Sequence, residues 1–387
     1  HIGKQLNGYS LQKVQEAAFG QILACAARER PDAFLICGDI YDKSVPSAES
    51  FAVFDRFLTE LSQQNPGMEI LIISGNHDSP ERLSYGSAFL ERHHIHIAAA
   101  APSEETQHLQ QVTLCDEWGP VHFYLFPFIR PGHVRRLLGE TGPLSYTEAF
   151  GGVLARERIE ENERNVLLAH QFFVREGQAP ATSDSETAVL LAGGLDQIDA
   201  SLLEPFDYAA LGHLHGPQRA GKEQWRYCGS PCQYSLSEEH QKKSVAMVTL
   251  REKGSAPEIA LLPLRMDPPV RRYSGSFEEI CAAARERIRE TGGGRVPDFA
   301  GITLTDPEEP PDLREQLEGL FERILEIRLD RRSLETVYEQ EEEGTETLSA
   351  LDAFAQFYEM VRQSPLSGKQ RRIMERVIRE AEEGERS

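Results

Sequence analysis

Apolar side chains over residues 10–30 (Leu11, Val14, Ala18, Ile22, Leu23, Ala26) recur at helical spacing and stop before Pro31, which predicts an amphipathic helix. Phe34-Leu35-Ile36-Cys37 follows as a short continuous apolar run, the mark of a strand buried on both faces, and it ends at Gly38-Asp39. The cycle then repeats. Phe51, Phe54, Phe57, Leu58 and Leu61 mark a second helix, and Ile70-Leu71-Ile72-Ile73 a second buried strand ending at Ser74-Gly75-Asn76-His77. Apolar runs at 121–128, at 166–169 before His170 and at 208–211 before Gly212-His213 continue the pattern. Several predicted strands thus end in Asp, Asn or His, where open α/β sheets carry their chemistry.

After Trp225 the texture becomes β-like. Residues 245–250 and 259–264, separated by Gly254 and Pro257, read as strands completing a second sheet. Pro268-Pro269 marks a boundary, and a small α+β unit is expected beyond it: a helix over 277–288, a strand over 301–304 and a helix over 313–327. Residues 338–346 have no apolar periodicity and read as a solvated linker. Two amphipathic helices should follow, one on Leu351, Phe354, Phe357, Tyr358 and Val361, the other, after Pro365, on Ile373, Met374, Val377, Ile378 and Ala381. The expected organisation is a main domain over 1–268, a capping unit over 269–336, an acidic linker over 337–348 and a helix-loop-helix over 349–387.

Composition narrows the class. With 40% hydrophobic and 27% charged residues in 387, the chain has material for a large core, which excludes disorder throughout. Its 41 Lys+Arg against 62 Asp+Glu leave a net charge of −21, which argues against coating nucleic acid by bulk charge. No apolar run approaches the roughly 18–20 residues that span a bilayer, so no membrane insertion is expected. The six cysteines are scattered and read as reduced cytosolic thiols. Cys228 and Cys232, in Cys-Gly-Ser-Pro-Cys, match no strong zinc spacing and are expected to be structural.

Four strand-end segments supply candidate metal ligands: Gly38-Asp39-Ile40-Tyr41-Asp42, Gly75-Asn76-His77-Asp78, Ala169-His170 and Gly212-His213-Leu214-His215. Carboxylate, imidazole and amide oxygen without thiolate suit Mn²⁺, Fe or Zn rather than a structural zinc site. Two such ions roughly 3.5–4 Å apart would hold a nucleophile in line with a phosphorus. A single histidine after a strand is ordinarily just packed; the order of four such segments in one chain is what carries the signal. By contrast His94-Ile-His96, with no third ligand close in sequence, reads as an ordinary strand.

The constellation resembles the calcineurin-like metallophosphoesterase superfamily, whose pattern is Asp-x-His, Gly-Asp-x-x-Asp, Gly-Asn-His-Asp/Glu, a lone His, and Gly-His-x-His. His1 fits the histidine of the first motif, and the pattern puts its aspartate two positions before His1, ahead of the sequence given. Within the superfamily, residues 74–83 (Ser-Gly-Asn-His-Asp-Ser-Pro-Glu-Arg-Leu), Cys-Gly-Asp-Ile-Tyr-Asp and Tyr-Cys-Gly-Ser-Pro look like the SbcD family of bacterial nuclease subunits. The resemblance implies a two-sheet α/β/β/α sandwich, here lacking its first strand, with a small α+β capping domain that binds DNA and a C-terminal helical partner-binding segment. It implies two Mn²⁺ ions, or Mg²⁺ or another divalent metal in their place. His1, Asp39 and His215 would hold one; Asp39, Asn76, His170 and His213 the other, with Asp39 bridging. His77 would stand beside the scissile phosphate and help protonate the leaving oxygen, while Asp42 and Asp78 would orient ligands or His77.

The implied activity is exonuclease and endonuclease cleavage of DNA ends and hairpins in repair, recombination and replication, in the cytoplasm at the nucleoid. The implied partners are DNA and an SMC-like SbcC-type ATPase, in a heterotetramer containing a homodimer of this chain. Lys369, Arg371, Arg372, Arg376 and Arg379 on the last helix, beside its apolar stripe, suit docking onto a coiled coil. Arg130, Arg135, Arg136 and Arg175 lie in or near loops where they could touch phosphates. Two other readings share the ligand pattern: a phosphatase or cyclic-nucleotide phosphodiesterase on small or phosphoprotein substrates, and a non-catalytic scaffold of the same fold.

Overall fold

The computed structural model describes residues 1–175, 180–184, 186, 196–308, 310–330 and 368–384, together with Leu351, Phe354, Ala355 and Tyr358. The expected linker over 337–348 and most of the first C-terminal helix lie outside the described residues.

Helix α1 (Gln12–Glu29) buries Val14, Ala18, Ile22, Leu23 and Ala26 and ends where Arg30 turns left-handed (φ 47°) before Pro31. Strand β1 (Ala33–Cys37) follows. Helix α2 (Ala48–Gln64) starts at Ser47, whose hydroxyl accepts the Ser50 amide, and leads into β2 (Glu69–Ile73). With β3 (Ile95–Ala98) these form a parallel sheet in the order β1-β2-β3. On its outer face Ile70, Ile72 and Ile95 pack against Ile22 of α1 and Phe54, Phe57 and Leu61 of α2.

The second sheet contains β4 (Gln110–Asp116), β5 (Gly119–Phe126), β6 (Arg164–His170), β7 (Tyr208–Gly212), β8 (Gln218–Ala220) and β9 (Lys222–Tyr227), in the order β8-β9-β7-β6-β5-β4. Its middle strands run parallel and its two outer pairs antiparallel. Helix α3 (Tyr146–Leu154), begun by a Ser145/Glu148 capping box, covers its outer face, where Phe150 stacks on Phe126 at 4.1 Å between ring centroids. Between the sheets Leu71, Ile73 and Ala98 meet Phe123, Leu125, Val166 and Leu168 in one apolar cluster. The architecture is the expected α/β/β/α sandwich.

One expectation is corrected. The strands expected over 245–250 and 259–264, here β10 (Ser244–Thr249) and β11 (Glu258–Pro263), pair only with each other among the described residues, as an antiparallel hairpin. The outer edges of β1 and β10 face a cavity of about 640 Å³, lined by α1 and by Leu35, Cys37, Phe123, Tyr208, Val245 and Met247. Leu35 and Cys37 line it, and all five residues of β1 are half-buried.

A three-stranded parallel sheet follows, β12 (Val270–Gly275), β13 (Val296–Leu304) and β14 (Phe321–Leu329) in that order, with helices α4 (Phe277–Thr291) and α5 (Leu313–Leu320). The helix expected over 313–327 therefore ends at Leu320, and parallel pairing with β13 draws the next nine residues into a strand. Ile302, Leu313, Leu317 and Phe321 form the core of this unit. Val270, Phe299 and Leu325 instead join Leu11, Val14 and Tyr234 of the main domain. Polar bonds reinforce the seam: the Gln233 side-chain oxygen accepts the Val270 amide at 3.0 Å, and Glu239 Oε1 accepts the Arg272 amide at 2.7 Å. The last helix, α6 (Gly368–Gly384), leaves Ile373 and Val377 nearly half exposed. Among the described residues no helix is long and apolar enough to cross a membrane.

Because Phe150 is fully buried and stacked, Phe150→Ala should cost about 4 kcal/mol, measured by urea unfolding.

Candidate metal centre

Five chain segments meet at one end of the sandwich. Asp39 follows β1, Asn76, His77 and Asp78 follow β2, His170 closes β6, and His213 and His215 follow β7. His1 arrives separately: the Ile2 amide donates to Ile40 O at 2.7 Å, and the Asp42 amide donates to Ile2 O at 3.1 Å. Gln15 on α1 holds the His1 carbonyl at 2.6 Å, and the His1 backbone nitrogen donates to Asp39 O.

Such convergence needs backbones to approach unusually closely. A Cβ on Gly212 would overlap the Cys37 carbonyl oxygen and lie 2.7 Å from His170 Nδ1. Gly38 (φ +85°) is equally enclosed, with the Gly75 amide nitrogen 2.7 Å from any Cβ it could carry. The residues after these glycines take up the turn: Asp39 has φ 51° and His213 φ 103°, left-handed values that non-glycine residues rarely adopt.

Asp39 is the hub. Its Oδ2 lies 3.2 Å from His170 Nε2 and 3.5 Å from His1 Nε2, while Oδ1 accepts the His77 amide at 2.9 Å. Burial works to raise its carboxyl, but the His170 and His1 imidazoles prevail and hold it well below the usual carboxylate range. His170 Nδ1 donates to Cys37 O at 2.6 Å, which turns Nε2 towards Asp39 and, at 3.1 Å, the Asn76 side-chain oxygen. The same oxygen lies 3.1 Å from His213 Nδ1. Burial, and secondarily His170, push the His213 imidazole down to about 3, so it is a neutral lone-pair donor at ordinary pH. Burial also lowers His215, against the pull of Glu238. His1 Nε2 and His215 Nε2 face each other at 3.0 Å.

The structure thus brings His1, Asp39, Asn76, His170, His213 and His215 together with His77, Asp42 and Asp78. Asp39, His170 and His213 offer donor atoms within 4.8 Å of one another, as do His1, Asp42 and His77. This donor set, imidazole nitrogens and a carboxylate aimed at shared points with no thiolate among them, fits a divalent cation. The two flanking carboxylates differ in what they hold. Asp42 lies 3.1 Å from Lys4 Nζ and 3.6 Å from His1 Nδ1, and its backbone carbonyl accepts from His77 Nδ1 at 2.9 Å. Asp78 binds backbone instead, accepting the amides of Ile40, Tyr41 and Gly75 and so tying two loops together. Its pKa is raised, by burial and by Asp39 nearby. Phe128 stands edge-on to His170, with the Arg130 guanidinium 5.9 Å from its ring centroid.

Residues 10–217 match the calcineurin-like phosphoesterase family, and residues 268–362 match the SbcD_C family, described as type 5 capsule protein repressor C-terminal domain. The chain is 30% identical over 329 residues to the SbcD subunit of nuclease SbcCD from Staphylococcus epidermidis, covering 84% of this chain and 82% of that protein. The protein of the same name from Staphylococcus saprophyticus is 30% identical over 282 residues, covering 72% of this chain and 70% of its own. The chain belongs to the SbcD family of calcineurin-like phosphoesterases.

Other expectations can be placed against the same geometry. Cys228 and Cys232 are free thiols held by the carbonyls of Ser244 and Val14, and burial raises both. His94 and His96 both bind the Glu69 carboxylate, at 2.7 and 2.8 Å, as a brace between neighbouring strands. What sequence reasoning missed is a buried group behind His215: Glu238, Lys243 and Glu186. They sit in hydrophilic stretches that carry no signal of burial.

Gly212→Ala should destabilise the fold by about 2 kcal/mol or more and weaken metal binding, read by thermal unfolding and calorimetric titration. Asp42 supplies a pH signature. Burial opposes its ionisation, but His1 and Lys4 lower its pKa from 3.8 to about 2. A depressed carboxylate stabilises above its unfolded pKa, and that stability is lost as pH falls from about 4 to about 2. Acid unfolding of Asp42→Asn should therefore lack about 2 kcal/mol of pH-dependent stability that the parent loses across that window.

Proposed function

We propose that this chain is the metal-dependent nuclease component of an SbcCD-type complex, hydrolysing phosphodiester bonds at DNA ends and hairpins during repair and recombination. The observation that carries the reading is the meeting of five donor-bearing segments on Asp39, in a chain of the SbcD family. An SMC-like SbcC-type ATPase is the proposed partner, with α6 as a docking element; its Ile373 and Val377 leave an apolar stripe open. Two copies of this chain in a heterotetramer are the proposed assembly, and exposed Val45, Tyr85 and Phe89 offer apolar surface for it. The proposed setting is the cytoplasm, at the nucleoid.

In this reading His1, Asp39 and His215 hold one Mn²⁺, and Asp39, Asn76, His170 and His213 hold a second. Bound there, the ions supply Lewis acidity and lower the pKa of a water so that it can act as the nucleophile. The protein's own groups do the rest. Asp39 is kept ionised by the imidazoles around it, and His170 is turned by the Cys37 carbonyl. His77 Nδ1 donates to the Asp42 carbonyl, so it is Nε2 of the imidazolium form that would deliver a proton to the leaving oxygen. In the family pattern an aspartate two positions before His1 would complete the ligands on that side of Asp39. The unit over 269–336 acts as a DNA-binding cap.

The test uses the chain extended before His1 by a strand carrying that aspartate, assayed with Mn²⁺ on linear and hairpin DNA and on a small phosphodiester. DNA should be cleaved far faster than the small ester. His77→Ala should lower turnover by at least about 100-fold, and Asp39→Asn should abolish it. Undiminished DNA cleavage in both variants, or preference for the small ester, would reject the assignment.

A further inference from the structure

Behind His215, on the side away from His1, lies a buried charged cluster that the catalytic reading does not use. His215 Nε2 faces the centre, 3.0 Å from His1 Nε2, and its Nδ1 lies 3.3 Å from Glu238 Oε1. Glu238 is fully buried. Its Oε2 accepts from Lys243 Nζ at 2.6 Å and from the Tyr234 amide at 3.2 Å, and its Oε1 from Ser235 Oγ at 3.2 Å. Lys243, its side chain only 2% exposed, also donates to the His215 carbonyl at 2.9 Å and to Ser230 Oγ at 2.8 Å. The backbone of His215 is held from the other side, where its amide donates to Glu186 Oε1.

A carboxylate and an ammonium in the same dry interior compensate each other's charge, so Glu238 can remain ionised there. An ionised carboxylate only accepts hydrogen bonds. It therefore requires the proton of neutral His215 to sit on Nδ1, which leaves the lone pair on Nε2, the atom aimed at the centre. A histidine that presents one nitrogen to a metal and gives its other N–H to a carboxylate is a better and better-oriented ligand than a free imidazole.

We propose that Glu238, with Lys243 as its counter-charge, is the positioning residue that fixes the tautomer and orientation of His215 for metal binding. The proposal rests on His215 being a ligand, and its test separates the two. In metal-free protein labelled with ¹⁵N-histidine, the His215 resonances should report the Nδ1–H form in the parent chain and a mixture of tautomers in Glu238→Gln. Titration with Mn²⁺ should show the His1/His215 side binding 10–100-fold more weakly in Glu238→Gln, while the Asn76/His170/His213 side is unchanged. Should that variant fail to fold, Glu238→Gln combined with Lys243→Met removes both charges and is read in the same way.

An unchanged tautomer ratio and unchanged affinity in a folded variant would overturn the proposal and leave Glu238 and Lys243 as a structural ion pair. If His215→Ala itself leaves Mn²⁺ binding intact, the ligand reading fails instead.

Discussion

Asp39 stands where three chain crossings compete for the same space. Its carboxylate takes the His77 amide and two imidazoles, its carbonyl takes the His1 nitrogen, and it is pressed against Gly75. No side chain fits at these crossings, and the left-handed backbone of Asp39 is held by contacts on all sides. The two sheets serve this arrangement. Their packed interior fixes the ends of β1, β2, β6 and β7 relative to one another, and the loops can then be short and rigid. A cluster of five imidazoles and a carboxylate would repel or collapse in a softer frame. Here burial keeps His213 and His215 neutral while the charge on Asp39 is retained.

Much of this was written in the apolar pattern. Strands buried on both faces leave no polar residue except at their ends, so Asp39, Asn76, His170 and His213 stand out against their flanks. The segment after Leu320 was less legible. Leu317, Phe321, Ile324 and Leu325 are spaced as on a helix, yet the chain turns at Phe321 and Leu325 faces the main domain, because strand β13 offers backbone partners that periodicity cannot reveal. The hairpin of β10 and β11 was legible as strands, but its pairing partner was not, since register depends on what lies alongside.

Glu238 and Lys243 mark the deeper limit. Ser-Leu-Ser-Glu-Glu-His-Gln-Lys-Lys reads as a solvated run, and nothing local distinguishes Glu238 from Glu239 or Lys243 from Lys242. Only the fold decides that one of each pair goes inside, to satisfy the other and His215. Net charge was similarly blunt. The −21 of the whole chain says little about a cleft where Asp39 and Asp42 stand among imidazoles and where Lys4 and Arg130 are close by.

The bond between Glu239 and the Arg272 amide lies one residue from Glu238, and Gln233 clasps both Val270 and the carbonyls of Glu238 and Glu239. The same short stretch therefore faces two ways. Any displacement that lifts β12 from the main domain has to break bonds made by residues whose backbone also carries the carboxylate behind His215. The seam to the three-stranded unit and the back wall behind His215 are one piece of chain, so the seating of that unit and the packing behind the imidazole cannot be altered independently.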